Sequence, residues 1–589
     1  MKKPLLKITT IILSLFLLGF TLPTFSACPW GRPLFTITFN SNGGSAVENQ
    51  YVYALDWIFR PPNPTKYGYD FAGWFTDDTT DTPFDFNNAY ARYSKTLYAR
   101  WLPIDYNNGG NDIDPVERQE FASFFIYMPS IIPPPIGQSF IPFGRYDWEN
   151  ASFSVQGYSI DTYNITNISG RIRGRGNSTW NVGTRVNSPS TQKWPFRIRL
   201  DTPRSILGMT SVSTDWSFIA NLSDYTLLRN EAAKYLARQL PSMNWQTQSR
   251  FVHVYFNGQY RGVYWVAEQL EVDNLNNELG RPQDFVSGRV PLTYSSDPTQ
   301  SEYFLELDVR ANVPPTNDPN RIMVEGIDYI LAGGRIFDMR FPDGTRATTG
   351  RRNATPAHFD YARSFLTRVH NAILGGNWNT ITSLVDVDSF IDFYLVHEFF
   401  KNIDSGGLSV HMTIRNTPNG RRLFKGPIWD FDLTAGNNAV SADGWSQATY
   451  NHWAQRGAYT SAGIWVGFIN AWYRYLLRVP QFFNRARNRF DSMAFGFAGR
   501  PAPIENMISH LQQVSTIYQY EFNRNFDRWN LLGRRTWAQP PSVVALTTHA
   551  QNVDHLINWF LARRDQLAHF FNNGSGANNN ATLWEGQWL

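Results

Sequence analysis

Residues 103–115 read PIDYNNGGNDIDP, and no packed element is expected from them. Glycine, asparagine, aspartate and proline fill the run, with little to bury. A chain with such a break folds as separate units on either side of it. At 589 residues it is too long for one ordinary domain and long enough to bury a sizeable core. Its one cysteine, Cys28, excludes intrachain disulfides, so packing alone must hold each unit together.

The net charge is +4, and no dense Lys/Arg block is present, so nucleic acid is not an expected partner. Aromatic residues make up 16% of the chain and tryptophan alone counts 21. Together with many Asn, Ser, Thr and Gly, this suits a secreted or surface protein rich in strands and loops. It also suits a carbohydrate binder.

The N-terminus reads as a targeting segment. Lys2, Lys3 and Lys7 precede an apolar run from about Ile11 to Leu22, too short to span a bilayer comfortably. It ends in TFSAC, with Ser26 and Ala27 directly before Cys28. That ending resembles a bacterial lipobox, with Phe25 where the pattern favours Leu, and implies acylation of Cys28. Cleavage without lipidation is the other outcome. The expected plan is a signal peptide over 1–27, a tether over 28–34, a first domain over 35–102, a linker over 103–116, a second domain over 117–570 and a polar tail over 571–589.

Before the linker, LFTITFNSNGG alternates and ends in a turn, and KTLYARW closes the unit with another alternating strand. Phe39, Asn42, Gly43, Gly44, Pro64, Gly68, Tyr69, Gly73, Trp74, Leu97, Ala99 and Trp101 resemble the Listeria–Bacteroides repeat, the internalin-type B-repeat. The resemblance implies a small β-grasp-like surface module with a spacer or adhesion role.

After the linker, strands dominate to about Leu270, interrupted by a helix at EAAKYLARQL, Glu231 to Leu240. FVHVYFNGQYRGVYWVAEQLEV reads as a hairpin turning at Asn257-Gly258. Beyond about Thr355 the pattern is helical, as in HFDYARSFLTRVHNAIL, DSFIDFYLVHEFFKN and VDHLINWFLARRDQLAHFF.

Several stretches carry chemistry. GPIWDFDLTAGN sets Asp430 and Asp432 two residues apart in an apolar setting. In an extended strand both would point the same way, with Trp429 and Phe431 opposite. Such a pair is relieved by a proton, by a bridging hard cation, or by a turn between the two. A loop whose aspartates cap turns is the plainer reading. IRGRGNSTW offers a turn with glycines for close backbone approach and Arg173 and Arg175 for charge, suited to phosphate or to an ordinary turn. In KWPFRIRLD, Arg197 and Arg199 share a face if the chain is extended.

GRGNSTW, KWPFRIRL, ILGM, DWSFIANLSDYTLLRN, VYFNGQYRGVYWVAEQ, FLELD, KNIDSGGLS and GPIWDFDLTAGN occur in the order seen in the CotH kinase family, the atypical protein kinases related to spore-coat protein H. The resemblance covers about Glu117 to Leu589. It implies an α+β, atypical kinase-like fold of two lobes, strand-rich then helical, behind the small repeat. It implies ATP, with Mg or Mn, and transfer of the γ-phosphoryl group to Ser or Thr hydroxyls of surface proteins or of the chain itself. Carried over residue by residue, Arg175, Gly176, Asn177 and Ser178 lie near the phosphates. Lys193, Arg197 or Arg199 pairs with them, Arg199 standing where the family commonly has lysine. Glu231 is a candidate partner for that cation, or a solvated acid at a helix start. Glu268 falls at a hinge-like position. Asp404 sits at the catalytic aspartate's place, although a helix-terminal Asp in a glycine turn looks the same. Asp430 matches the metal aspartate, Asp432 stands where many relatives have Asn, and Ser409 occupies the place of a second-metal Asn. Export and membrane anchoring through Cys28, at the cell surface or in the periplasm, complete this picture. The alternative is a non-catalytic surface protein that uses the same fold for adhesion, and a glycan binder is a third.

Overall fold

The structure is a computed structural model. It describes residues 33–103, 120–270, 292–307, 321–342, 354–438, 471–496 and 501–573, apart from short internal breaks. The expected signal peptide, Cys28, most of the linker, Asn177 and most of the tail lie outside the described residues. The chain divides into two compact units, Met1–Asn111 and Asp112–Leu589.

The first unit is a four-stranded sheet. Its strands are β1 (Leu34–Asn40), β2 (Gln50–Tyr53), β3 (Tyr69–Phe75) and β4 (Lys95–Pro103), in the order β2-β1-β4-β3. β1 runs parallel to β4 and antiparallel to β2. Alternation puts Ile37, Phe39 and Leu97 on the buried side, where Phe39 meets Trp74 edge-on at 5.0 Å. The Asn42-Gly43 turn takes left-handed backbone at both residues (φ 48° and 82°). Asn42 also donates its amide to the Ala99 carbonyl at 2.8 Å, tying the turn to β4.

The second unit opens with a closed seven-stranded barrel. Its strands are β5 (Ala122–Tyr127), β6 (Glu149–Gln156), β7 (Ile165–Gly174), β8 (Phe196–Arg204), β9 (Ser213–Ile219), β10 (Ser249–Phe256) and β11 (Gln259–Glu268). They run in the order β10-β11-β9-β8-β7-β6-β5, and a parallel pairing of β5 with β10 closes the ring. Closure removes both sheet edges. Inward residues such as Phe124, Phe153, Phe196, Phe218 and Tyr264 fill the interior. The expected hairpin turns at Asn257-Gly258, both left-handed (φ 43° and 80°), between β10 and β11.

Two short helices flank the barrel strands in sequence: α1 (Ser178–Gly183) follows β7, and α2 (Arg229–Arg238) lies between β9 and β10. A six-stranded sheet follows, built from β12 (Tyr303–Leu307), β13 (Arg321–Val324), β14 (Ile327–Ala332), β15 (Arg335–Phe341), β16 (Val410–Thr417) and β17 (Gly420–Lys425). The helices include Pro356–Gly375, Val387–Phe399, Pro503–Ile517, Gln519–Arg528 and His549–Asn573. One large apolar core joins α2, the outer face of β11, one face of this sheet and the helices. Strands therefore persist well into the part whose sequence reads as helical.

Candidate functional site

The start of α2 and the loop after β17 are built as one piece. Asp224 accepts the Arg229 N–H at 3.0 Å and so satisfies a free donor at the helix start. Its other oxygen pairs with the Arg229 guanidinium at 2.5 Å, and both groups are fully buried. That guanidinium reaches across to donate to the carbonyls of Thr434 (2.9 Å) and Ala435 (3.1 Å). The next residue, Asn230, accepts the Phe431 N–H at 2.8 Å. Gln246 accepts the Ile428 N–H at 3.1 Å, and Asn437 donates to the Asp432 carbonyl at 2.7 Å. Side chains thus hold the backbone from Ile428 to Ala435.

That loop is not extended. Residues 426–431 lie outside any strand, a turn begins at Asp432, and Asp430 itself is left-handed with φ 69°. The strand geometry expected for Asp430 and Asp432 is corrected accordingly. Lys401, Ser409 and Ala435 are left-handed too, at φ 50°, 53° and 46°. Non-glycine residues in this region are uncommon and gather at sites whose surroundings over-determine them.

The acids still meet. Ser409 donates to Asp430 Oδ2 at 3.4 Å, and Asn402 donates to the Asp430 carbonyl while accepting the Asp404 N–H at 2.9 Å. Burial, and then the charge of Asp430, pushes Asp404 up to about 8. Burial, followed by Asp430, Asp224 and Asp404, raises Asp432 well above the usual carboxylate range. Burial raises Asp430 also, against Arg175, Ser409 and the neighbouring Asp432 carboxyl. Asp430 is open to solvent and yet surrounded by protein on most sides, so water keeps its rise below what full enclosure would give. Without a cation the cluster relieves its repulsion by holding protons. A divalent cation would do the same job, which is the chemistry this donor set fits. Among the described residues no three His, Cys, Asp or Glu side chains are grouped closely enough to hold a metal by themselves.

The basic candidates separate. Arg175 lies with its guanidinium 5.8 Å from the Trp429 ring centre, and its charge acts on both Asp430 and Asp432. Gly176 beside it is left-handed (φ 84°), and a Cβ there would stand 2.2 Å from Thr179 Oγ1. Ser178 is exposed at the start of α1. Lys193 is fully buried and donates to the Val263 carbonyl at 2.5 Å, away from the acids. Burial lowers it well below an ordinary lysine. Arg197 and Arg199 do share the outer face of β8, and both pair with Asp215 of β9, at 2.6 and 3.0 Å.

Glu231 pairs with none of these cations. One of its oxygens accepts from Ser249 (2.8 Å) and Trp265 (3.0 Å), and the other lies 3.2 Å from His510 Nε2. Burial alone would raise it, but His510, Arg238 and Trp265 together hold it well below the carboxylate range. Glu268 is buried at the end of β11, its backbone in register with Trp216 of β9.

A partly open space with room for about one water molecule lies beside Asp430. Asn230, Lys234, Trp265, Trp429, Asp430 and Phe431 are among the residues lining it.

A family model described as CotH kinase protein matches residues 172–567, well over half of the chain. The chain belongs to the CotH kinase family. The match begins at Ile172 within β7 and ends in the His549–Asn573 helix. A second model, the Listeria-Bacteroides repeat domain, matches residues 35–100, within the four-stranded first unit. Two proteins of Evansella cellulosilytica are similar over short stretches. One, named "Putative membrane protein", is 32% identical over 95 residues, which is 15% of this chain and 14% of that protein. The other, named "Putative Gly-rich membrane protein", is 34% identical over 99 residues, 16% and 11% of the two chains. This chain thus spans only a small part of either relative's length.

For this CotH chain the sequence reading passed over Arg229, Asn230, Lys234, Gln246 and Asn402. A signal was present in TLLRNEAAK, where Arg229, Asn230 and Lys234 stand among residues that bury a helix face. Charged and amide groups at such positions are seldom buried without partners.

Proposed function

We propose that this CotH-family chain is an ATP-dependent protein kinase that acts outside the cytoplasm on Ser or Thr hydroxyls of surface proteins or of itself. In this reading the barrel with α2 is one lobe and the six-stranded sheet with its helices is the other. The nucleotide phosphates meet Arg175, Gly176 and Ser178, with Asn177 between the last two in sequence. Asp430, with Asp432 beside it, would hold Mg or Mn, and Ser409 supports Asp430. Mg of this kind commonly binds one or two carboxylates and completes its shell with water and substrate phosphates. When bound, the metal supplies positive charge that neutralises the phosphates. Asp404 orients the acceptor hydroxyl and takes its proton. A carboxyl raised towards neutrality is a better proton acceptor than an ordinary one, provided it is ionised when the site is loaded.

The observation that carries this reading is Asn402, which donates to the Asp430 carbonyl and accepts the Asp404 N–H and so ties the two acids together. Phosphoryl transfer needs one acid for the acceptor and one for the metal in a single site. The test is labelled-ATP transfer by the full chain with Mg or Mn. Asp430→Asn should lower transfer by about 10³-fold, the scale of losing a principal electrostatic group. Normal transfer by that variant defeats the metal assignment. A non-catalytic binding role is the second reading, favoured by the surface-type repeat over residues 35–100. That role wins if the unmutated chain binds ATP and transfers none.

For location, the relatives' names and the surface-type repeat support export, with Cys28 as the lipid-bearing residue and the domain plan given above. Among the described residues no helix is long and apolar enough to cross a membrane.

A further inference from the structure

The chain keeps a lysine where a lysine is costly. Lys234 of α2 is only 3% exposed. Its ammonium lies 4.8 Å from the ring centre of Trp265 and 4.9 Å from that of Trp429, between two indoles. Its one hydrogen bond among the described residues is a long one, 3.3 Å to the Thr247 carbonyl. No carboxylate among the described residues approaches it within ion-pair distance. Glu231, three residues earlier on the same helix, is occupied by Ser249, Trp265 and His510. A buried cation without a counter-charge is costly, and contact with aromatic faces offsets only part of that cost.

The same ammonium lines the cavity whose wall also includes Asp430. A cation and an acid thus line one open space without pairing to each other. An anionic group with a metal beside it fits that arrangement, the anion at Lys234 and the metal at Asp430. The other basic candidates have work elsewhere: Lys193 bonds Val263, while Arg197 and Arg199 pair with Asp215.

We propose that Lys234, supplied by helix α2 and not by strand β8, is the cation that receives the terminal phosphates of the bound nucleotide. The inference rests on the kinase reading and adds a residue to its site. Trp265 and Trp429 hold the ammonium in place until the phosphates arrive. Burial, together with Arg238, lowers Lys234 well below an ordinary lysine, against Glu231 and Glu268, and an anion arriving beside it would favour the protonated form.

The test is equilibrium binding of ATP, ADP, AMP and adenosine, with Mg, to the full chain and to Lys234→Met, with thermal melting of both. Methionine fills the same space without charge. ATP and ADP should bind about 10- to 100-fold more weakly to the variant, the scale of one charge-assisted hydrogen bond. Adenosine should bind the two alike. The melting temperature should hold or rise, because an unpaired buried charge has gone. Lys234→Gln, which keeps a donor without the charge, should lie between parent and Met variant for ATP. Equal losses for adenosine and ATP, or a lower melting temperature with unchanged ATP binding, would make Lys234 a structural residue and overturn the proposal. If the parent binds ATP and Lys234→Met binds it equally well, only the Lys234 inference fails. If the parent binds no nucleotide at all, the kinase reading fails and takes this inference with it.

Discussion

Between pH 6.5 and 8 the buried acid cluster should cost the second unit stability, and removing one carboxyl should remove much of that cost. Asp404 is pushed from an ordinary 3.8 up to about 8 by burial and then by Asp430. Between those values the folded chain keeps a proton that the unfolded chain has released. Stability therefore falls as pH rises through that window and levels off above about 8. Asp432 and Asp430 are shifted in the same direction and add to the slope. Buried His253, His411 and His549 work the other way. Burial lowers each to about 4, so they favour the folded state as pH rises from about 4 to 6.5 and then fall silent. Above 6.5 the raised acids lower stability with pH, while buried Lys193, Lys234 and Lys401, each held well below an ordinary lysine by burial, act in the opposite sense, so the difference between parent and Asp404→Asn isolates the acid cluster. One such proton across that interval is worth at most ~2 kcal/mol. Partial solvent contact at Asp404 brings its share to ~1 kcal/mol. Urea unfolding in EDTA at pH 6.5 and 8 should show the stability of Asp404→Asn rising relative to the parent by about 1 kcal/mol over the interval. If Asp430 and Asp432 hold the metal as proposed, Mg should stabilise the parent at pH 8, because a bound cation favours their ionised form. A variant that tracks the parent over this interval would refute the account of the cluster.

Arg229→Ala should cost ~3–5 kcal/mol, because it leaves the buried Asp224 carboxylate without its charge partner and releases the carbonyls of Thr434 and Ala435. Chemical denaturation measures it, and a cost below 1 kcal/mol would mean that the loop stands without α2. Cys28→Ala should release the exported chain from membranes or block its processing, read by fractionation. An intact mass with an unmodified mature N-terminus would refute the anchor.

Much of the architecture could be read from local pattern. The repeat, the Asn257-Gly258 hairpin, α2 and the long helices follow from alternation, turn residues and helical periodicity, which act over a few residues. The barrel's closure does not, since β5 and β10 are far apart in sequence and each would serve equally well as an edge strand. The six-stranded sheet was missed for a similar reason. β12 pairs with β16 across a long helical stretch, and neither strand signals its partner. In the site, the two aspartates were legible by type and spacing, but not the left-handed backbone at Asp430, which aspartate tolerates without advertising. That Arg197 and Arg199 share a face was legible from the strand. That Asp215 takes both was not, because the pairing of β8 with β9 sets it.

The polar groups that sequence reading missed explain why α2 matters more than its ten residues suggest. Arg229 and Asn230 fix the backbone on either side of Asp432, and Lys234 lines the cavity one turn further on. Glu231, between them, fastens the same helix to β10, β11 and the Pro503–Ile517 helix through Ser249, Trp265 and His510. A shift of α2 would therefore move the acid-bearing loop and the cavity's lysine together, and it would have to break buried, charge-assisted bonds to do so. Such bonds are worth about 1.5–3 kcal/mol each. The helix thus behaves as a strut that sets the distance between Lys234 and Asp430, and two members of its network, Asn230 and Trp265, line the same space themselves.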